Sequence, residues 1–307
     1  MNTNLYLLIG IFLLSHLAGA RCPPMQDKIA EYGNYISLLN THDLNTIKLA
    51  VERYREVVDS SDKVFCDSAF WVFWQYFNAV KDSQAAGLEK EGGCPRFGEF
   101  ADVIDYPANP DENALKEKLE TDNQTYRQAD LSLLEQLNAF GLKIECVEGF
   151  ICVASGKADY IVKNFSGYVS EPTRNYVELI INDENKPVAK DAGLQISVRE
   201  LAGRAIQWET FIRDNPGFVK IEECKQKYHD CLHALMSGFE NTPAFDFETH
   251  ILKSEFRNAY DFIRKESSGT QTGKIIQGYY ELLISRGFVS DTTIQEYIKK
   301  STRYDQQ

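Results

Sequence analysis

Apolar residues recur at intervals of three and four along most of this chain, with polar residues filling the positions between them. That spacing puts one apolar stripe on each of a series of helices. Leu44, Ile47, Val51, Tyr54 and Val58 predict a helix over Asp43 to Ser60, with Asp43 as its cap. After a Ser-Ser-Asp break, Lys63 to Asp82 is apolar nearly all round, from Ala69 to Phe77. It predicts a buried central helix. Further helices are predicted over Glu112 to Asp122, Tyr126 to Phe140, Ala158 to Val169 and Thr173 to Asp183. Ser197-Val-Arg-Glu200 is a capping box that opens a helix through Arg213, closed by Asn215-Pro216-Gly217. Long helices are predicted over Val219 to Ser237, Phe247 to Glu266 and Gln271 to Ser285, and a last one from about Asp291 to Ser301, with Ser290 as its cap.

The pattern changes from Lys143 to Ala154, which reads strand, turn, strand, with Glu148-Gly149 in the turn. The fold class that follows is mostly α: an antiparallel helix-pair bundle or short helical array, with one small β-hairpin near 143–154. Asp43 to Asp82 and Phe247 to Ser285 are each a helix pair of solenoid-unit size, without a repeat consensus. The segment Gly92 to Pro110, rich in Gly and Pro, is the candidate division between an N-terminal pair and the remainder.

The first twenty residues break the amphipathic pattern. An apolar run from Leu5 to Leu14 leads to Ala18-Gly19-Ala20, small residues at the positions signal peptidase reads. Residues 1–20 therefore predict a secretory signal peptide, and residues 21–307 an extracytoplasmic mature region, secreted or periplasmic. Arg21 stands directly before Cys22, where a lipid anchor wants a small residue, so a cleaved, soluble product is expected. No second apolar run reaches the roughly 18–20 residues of a membrane helix.

Charge narrows the partners. The formal net charge is −12, and the leader carries no charged side chain. Nucleic acid is excluded as an expected partner, because phosphate binding needs a basic face. Lys253, Arg257 and Arg264 share a helical face, but Glu255, Asp261 and Glu266 are interleaved with them, as on a solvated surface.

Export makes disulfides permissible for the seven cysteines. Register symmetry about Gly149 pairs Cys146 with Cys152, the disulfide candidate. Cys224 and Cys231 cannot bridge each other on one helix. Seven residues rise about 10.5 Å, beyond the roughly 7 Å a disulfide allows.

His229 and His233 are the metal candidates, since residues four apart share a helical face. Two ligands do not complete a site, and no second ligand pair appears, so two polar residues on an amphipathic helix are the better account of them. Gly269-Thr-Gln-Thr-Gly273-Lys274 is one residue too short for a phosphate loop and lacks its Ser or Thr, so it reads as an interhelical loop. No nucleophile elbow or thiol-protease pattern occurs, and no cofactor is expected. Glu222-Glu223, and Asp246 with Glu248, are carboxylate pairs that a chain this acidic produces readily. Trp71, Phe73, Trp74, Tyr76, Phe77 and Trp208 suit a core more than a groove. The sequons at Asn123 and Asn164 matter only in a glycosylating host.

The reading that follows is a non-enzymatic extracytoplasmic binding or interaction protein, with a protein or other extracellular ligand as partner. The alternative is a secreted hydrolase, metal-assisted through His229 and His233. The discriminator is whether those imidazoles meet an acidic side chain of another helix in a concave pocket. The sequence leaves the oligomeric state open.

Overall fold

The structure, a computed structural model, describes residues 23–93, 128–147, 149–155 and 159–303. Residues 1–20, Cys22, most of the 92–110 segment, the helix expected at Glu112 to Asp122 and the Asn123 sequon lie outside them. Eleven helices and two antiparallel strand pairs run through the described residues. In chain order they are α1 (Pro23–Ser37), α2 (Asn45–Val57), α3 (Lys63–Lys90), α4 (Gln128–Ala139), β1 (Leu142–Val147), β2 (Phe150–Ser155), α5 (Asp159–Phe165) and α6 (Glu171–Asn185). Then follow β3 (Ala189–Lys190), β4 (Gly193–Leu194), α7 (Val198–Asp214), α8 (Ile221–Ser237), α9 (Ser254–Glu266), α10 (Gln271–Ser285) and α11 (Thr292–Thr302). The mostly-α expectation holds. Among the described residues no helix is long and apolar enough to cross a membrane.

The apolar stripes account for the assembly. Helix α3 is the central buried element: Phe70, Phe73 and Phe77 are at most 1% exposed, and the Asp62 carboxylate caps it by accepting from Phe65 N at 2.9 Å. Around it pack α1, α2 and β2. Phe165 of α5 sits against Phe70, Phe73 and Tyr54, with ring centroids 4.5–5.1 Å apart. In the C-terminal half α7 pairs with α8 and α9 with α10, and α11 closes over α8 and α10. Buried tyrosines tie helices together through backbone carbonyls. Tyr54 donates to Cys66 O at 3.1 Å, Tyr260 to Leu235 O at 2.8 Å and Tyr279 to Met236 O at 3.1 Å. Each buried hydroxyl thereby keeps a partner out of water.

Several expectations need correction. Helix α1 was not expected, although Met25, Ile29, Tyr32 and Ile36 recur at helical spacing; among its described side chains Tyr32 and Ile36 are buried. The ladder of the first hairpin runs one residue out of the expected register. Val147 pairs with Phe150, so Cys146 faces Ile151 and Cys152 faces Glu145. The ladder closes at Val147 and Phe150, so its axis of symmetry does not fall on Gly149. A one-residue slip moves every side chain to the other face, so Cys146 and Cys152 are not partners, and Cys152 is an exposed free thiol. Residues 247–253, expected as the start of a helix, form a turn over 247–249 followed by β-bridges at Ile251 and Leu252. The Asp246 carboxylate accepts from the backbone N–H of Glu248 at 3.1 Å and of Thr249 at 2.8 Å. His250 adopts φ +56°, and Ile251 bridges Val289. The local carboxylate outcompetes the helix for those amides. Phe247 is left 72% exposed.

A second hairpin, β3–β4, was also unexpected, because two-residue strands carry no alternation to read. Its turn residues Asp191 and Ala192 both have positive φ, 50° and 54°, as a type I′ turn demands. Asn241 holds them there: its backbone N–H donates to Ala192 O at 2.9 Å and its side-chain amide to Asp191 O at 2.6 Å. Ala192→Gly is expected to raise stability by about 0.5–1 kcal/mol, because the left-handed cost of alanine outweighs the freedom glycine returns to the unfolded chain. A urea midpoint that falls would contradict this account of the turn.

Candidate functional site

Three helices, α3, α6 and α8, leave a cleft of ≈ 290 Å³ between them. Each contributes residues spaced by a helical turn. From α3 come Trp74 and Asn78; from α6 come Tyr176, Ile180, Asp183 and Glu184; from α8 come Glu223 and Lys227. The i, i+4 and i, i+7 spacings place each set on one face. α6 is oriented by Ser170, whose hydroxyl caps its first turn on Thr173 N and donates to Asp67 of α3 at 2.6 Å.

The lining carboxylates are individually committed. Asp183 accepts from Arg204 at 2.6 Å, and that guanidinium is only 4% exposed. Glu184 pairs with Lys81 at 3.1 Å, whose side chain is 10% exposed. Glu223 accepts from the Tyr176 hydroxyl and pairs with Lys220 at 3.3 Å. Burial, the Glu223 hydrogen bond and its charge all push the Tyr176 hydroxyl far up, so it stays a proton donor. Burial also raises the Asp183 carboxyl above its ordinary range, against the pull of Arg204 and Lys227. Lys227 is half-buried and, among the described residues, is the one lining charge without an ion-pair partner.

The wall behind is aromatic. Tyr176 meets Trp71 and Phe218 at centroid distances of 5.6 and 5.2 Å, and Trp208 at 6.3 Å. Of the expected aromatic cluster, only Trp74 reaches the cleft; Phe73 and Phe77 are core.

His229 and His233 lie on α8 but do not line this cleft. His229 comes two positions after Lys227, a turn of about 200° around the helix. His229 sits beside the Tyr228 ring, and burial lowers its pKa. His233 is exposed, with Nδ1 3.1 Å from the Ser237 hydroxyl. Among the described residues no group of three His, Cys, Asp or Glu is placed to hold a metal ion. Cys224 and Cys231 are buried, and burial pushes each thiol up to about 12, which makes both poor nucleophiles.

The carboxylate pair Glu222-Glu223 divides by function: Glu222 pairs with Lys225 at 2.7 Å, while Glu223 enters the cleft. Adjacent residues on a helix point about 100° apart, and only the fold shows which of the two turns inward. The Gly269–Lys274 loop offers no anion site. Its helix-opening amides are already filled by Glu209 of α7, which accepts from Gln271 N at 2.5 Å, Thr272 N at 2.8 Å and the Thr272 hydroxyl at 2.6 Å. A carboxylate of the chain occupies the place where a phosphate would sit. Asn164 lies in α5 with its amide donating to Tyr160 O at 2.7 Å and its oxygen accepting from Arg55 at 2.6 Å, so the folded chain holds that sequon's acceptor in place.

Compared with protein-family models, curated proteins and solved structures, the chain matches none.

Proposed function

We propose that this chain is an exported, non-enzymatic binding protein that holds a small ligand in the α3–α6–α8 cleft. One observation carries the reading: a concavity of ≈ 290 Å³ gathers an indole, an amide, a phenol, a cation and three ion-paired or hydrogen-bonded carboxylates from three separate helices. The lining is mostly polar, with Trp74 and Ile180 as its apolar part, so a small ligand would be held chiefly by placed polar groups. Its carboxylates are committed to Arg204, Lys81, Tyr176 and Lys220. Groups fixed in that way preorganise a binding surface and leave no acid–base pair poised for turnover. Export rests on the apolar leader and the small residues at 18–20. The hydrolase alternative needs its imidazoles in a concavity with an acid, and His229 and His233 lie away from this one.

The test is a thermal-shift screen of purified protein against a library of small polar metabolites, repeated on Ile180→Trp, which fills the cleft. A hit is expected to raise the wild-type midpoint, to leave Ile180→Trp unmoved, and to be recovered chemically unchanged. A ligand at a hundred times its Kd stabilises by about 2.7 kcal/mol, well above detection. A hit that is converted to product, or that binds Ile180→Trp as well as wild type, would overturn the reading.

A further inference from the structure

We infer that the cleft selects a small monocarboxylate carrying an apolar or aromatic body, with Lys227 as the residue that anchors its charge. The inference rests on the cleft being a ligand site, as proposed above.

Each lining carboxylate has a cation partner of its own: Asp183 has Arg204, Glu184 has Lys81 and Glu223 has Lys220. Lys227 is the lining charge that has no such partner among the described residues. Lys81 and Arg204 lie behind the wall, turned toward their own carboxylates and nearly out of water. Lys227 lies in the lining itself, half-buried, and no carboxylate stands within ion-pair distance of it among the described residues. A partly desolvated ammonium gains most from an anion that enters with the ligand.

The chemistry also discriminates against the alternatives. An incoming ammonium would meet Lys227 and find each carboxylate already engaged, so amines are disfavoured. A dianionic phosphate would bring a second negative charge that no free cation offsets, beside three carboxylates. One charge matches one Lys. The remaining lining, Trp74 and Ile180, takes an apolar body, and the Asn78 amide supplies a hydrogen bond alongside the carboxylate.

Three probes of known charge test this: phenylacetate, phenethylamine and inorganic phosphate, each titrated into the full chain. The readout is intrinsic fluorescence, since Trp74 lines the cleft and Trp71 and Trp208 touch Tyr176 within it. Phenylacetate is expected to bind saturably, with phenethylamine and phosphate at least tenfold weaker. Lys227→Gln is expected to weaken phenylacetate at least tenfold, and Lys227→Arg to keep it within a few-fold, with both variants retaining the wild-type circular dichroism. Phenethylamine binding as tightly as phenylacetate, or Lys227→Gln binding phenylacetate like wild type, overturns the carboxylate inference. In either case loss of that binding in Ile180→Trp leaves the cleft standing as the ligand site. Failure of all three probes at millimolar concentration overturns the carboxylate inference alone; persistence of binding in Ile180→Trp overturns the cleft reading with it.

Discussion

Gly238→Ala is expected to destabilise the protein by about 3–5 kcal/mol, combining strained backbone with overpacking that cannot relax. Gly238 ends α8 at φ +71°, ψ −161°, a conformation open essentially to glycine alone. A Cβ there would stand 2.3 Å from Thr242 O and 2.5 Å from Ala244 N. Both are backbone atoms, and both belong to a turn closed by Phe239 N to Thr242 O at 3.0 Å and Ala244 N to Ser237 O at 3.0 Å. No side chain can swing aside to make room. The same turn carries Asn241 and Thr242, which hold the β3–β4 hairpin, so the damage spreads to a second element. Urea unfolding followed by circular dichroism measures the change. A loss below about 1 kcal/mol would mean that the turn rearranges at little cost.

The second large effect belongs to the ion pair behind the cleft. Asp183→Ala is expected to cost about 3–5 kcal/mol, because it leaves a buried guanidinium without its close partner. Arg204 is 4% exposed on its side chain, and its other carboxylate neighbour, Glu200, lies at 3.7 Å. Replacing both, as Asp183→Leu with Arg204→Met, is expected to recover most of that loss, since the buried charge leaves with its partner. If the double variant is no more stable than Asp183→Ala, the cost lies in packing and not in charge.

Proton linkage gives the same residue a second signature. The folded carboxyl of Asp183 is raised above its ordinary value of 3.8, chiefly by burial. The native state therefore holds this proton to higher pH than the unfolded chain does. The contribution is fully present below 3.8 and is lost as the pH climbs through the folded value. Wild type compared with Asp183→Asn across that window isolates the effect, and Asp183→Asn is expected to lack that component of the slope.

The helices that sequence made legible are those whose apolar stripe and cap agree. Ser197, read as a cap, accepts from the backbone three residues on and α7 begins there, whereas α2 follows Leu44 and not the expected Asp43, and α11 is capped by Asp291 and not by Ser290. Even at α7 the capping box is only half made. Ser197 accepts from Glu200 N, while the Glu200 carboxylate turns to Lys186 and Arg204 instead of back to Ser197. The failures are equally physical. Phe247 and Ile251 sit four apart and imitate a helical stripe, but the Asp246 carboxylate had already taken the amides a helix would need. The cleft was the least legible feature. Trp74, Tyr176 and Lys227 lie far apart in sequence, and on its own helix each lining pair looks like an ordinary solvated face. His229 and His233 carried the stronger local signal, yet the packing of α8 turns Lys227, not the imidazoles, toward α3 and α6.

The carboxylate that fills the start of α10 sets an order of assembly. Glu209 lies 62 residues before Gln271, and its contact closes a long loop. The amides of α10 can form their own hydrogen bonds early, because those contacts are local and fast. The first turn cannot mature until α7 has arrived, since its counter-charge belongs to that helix. The first turn of α10 is therefore expected to gain hydrogen-exchange protection together with α7.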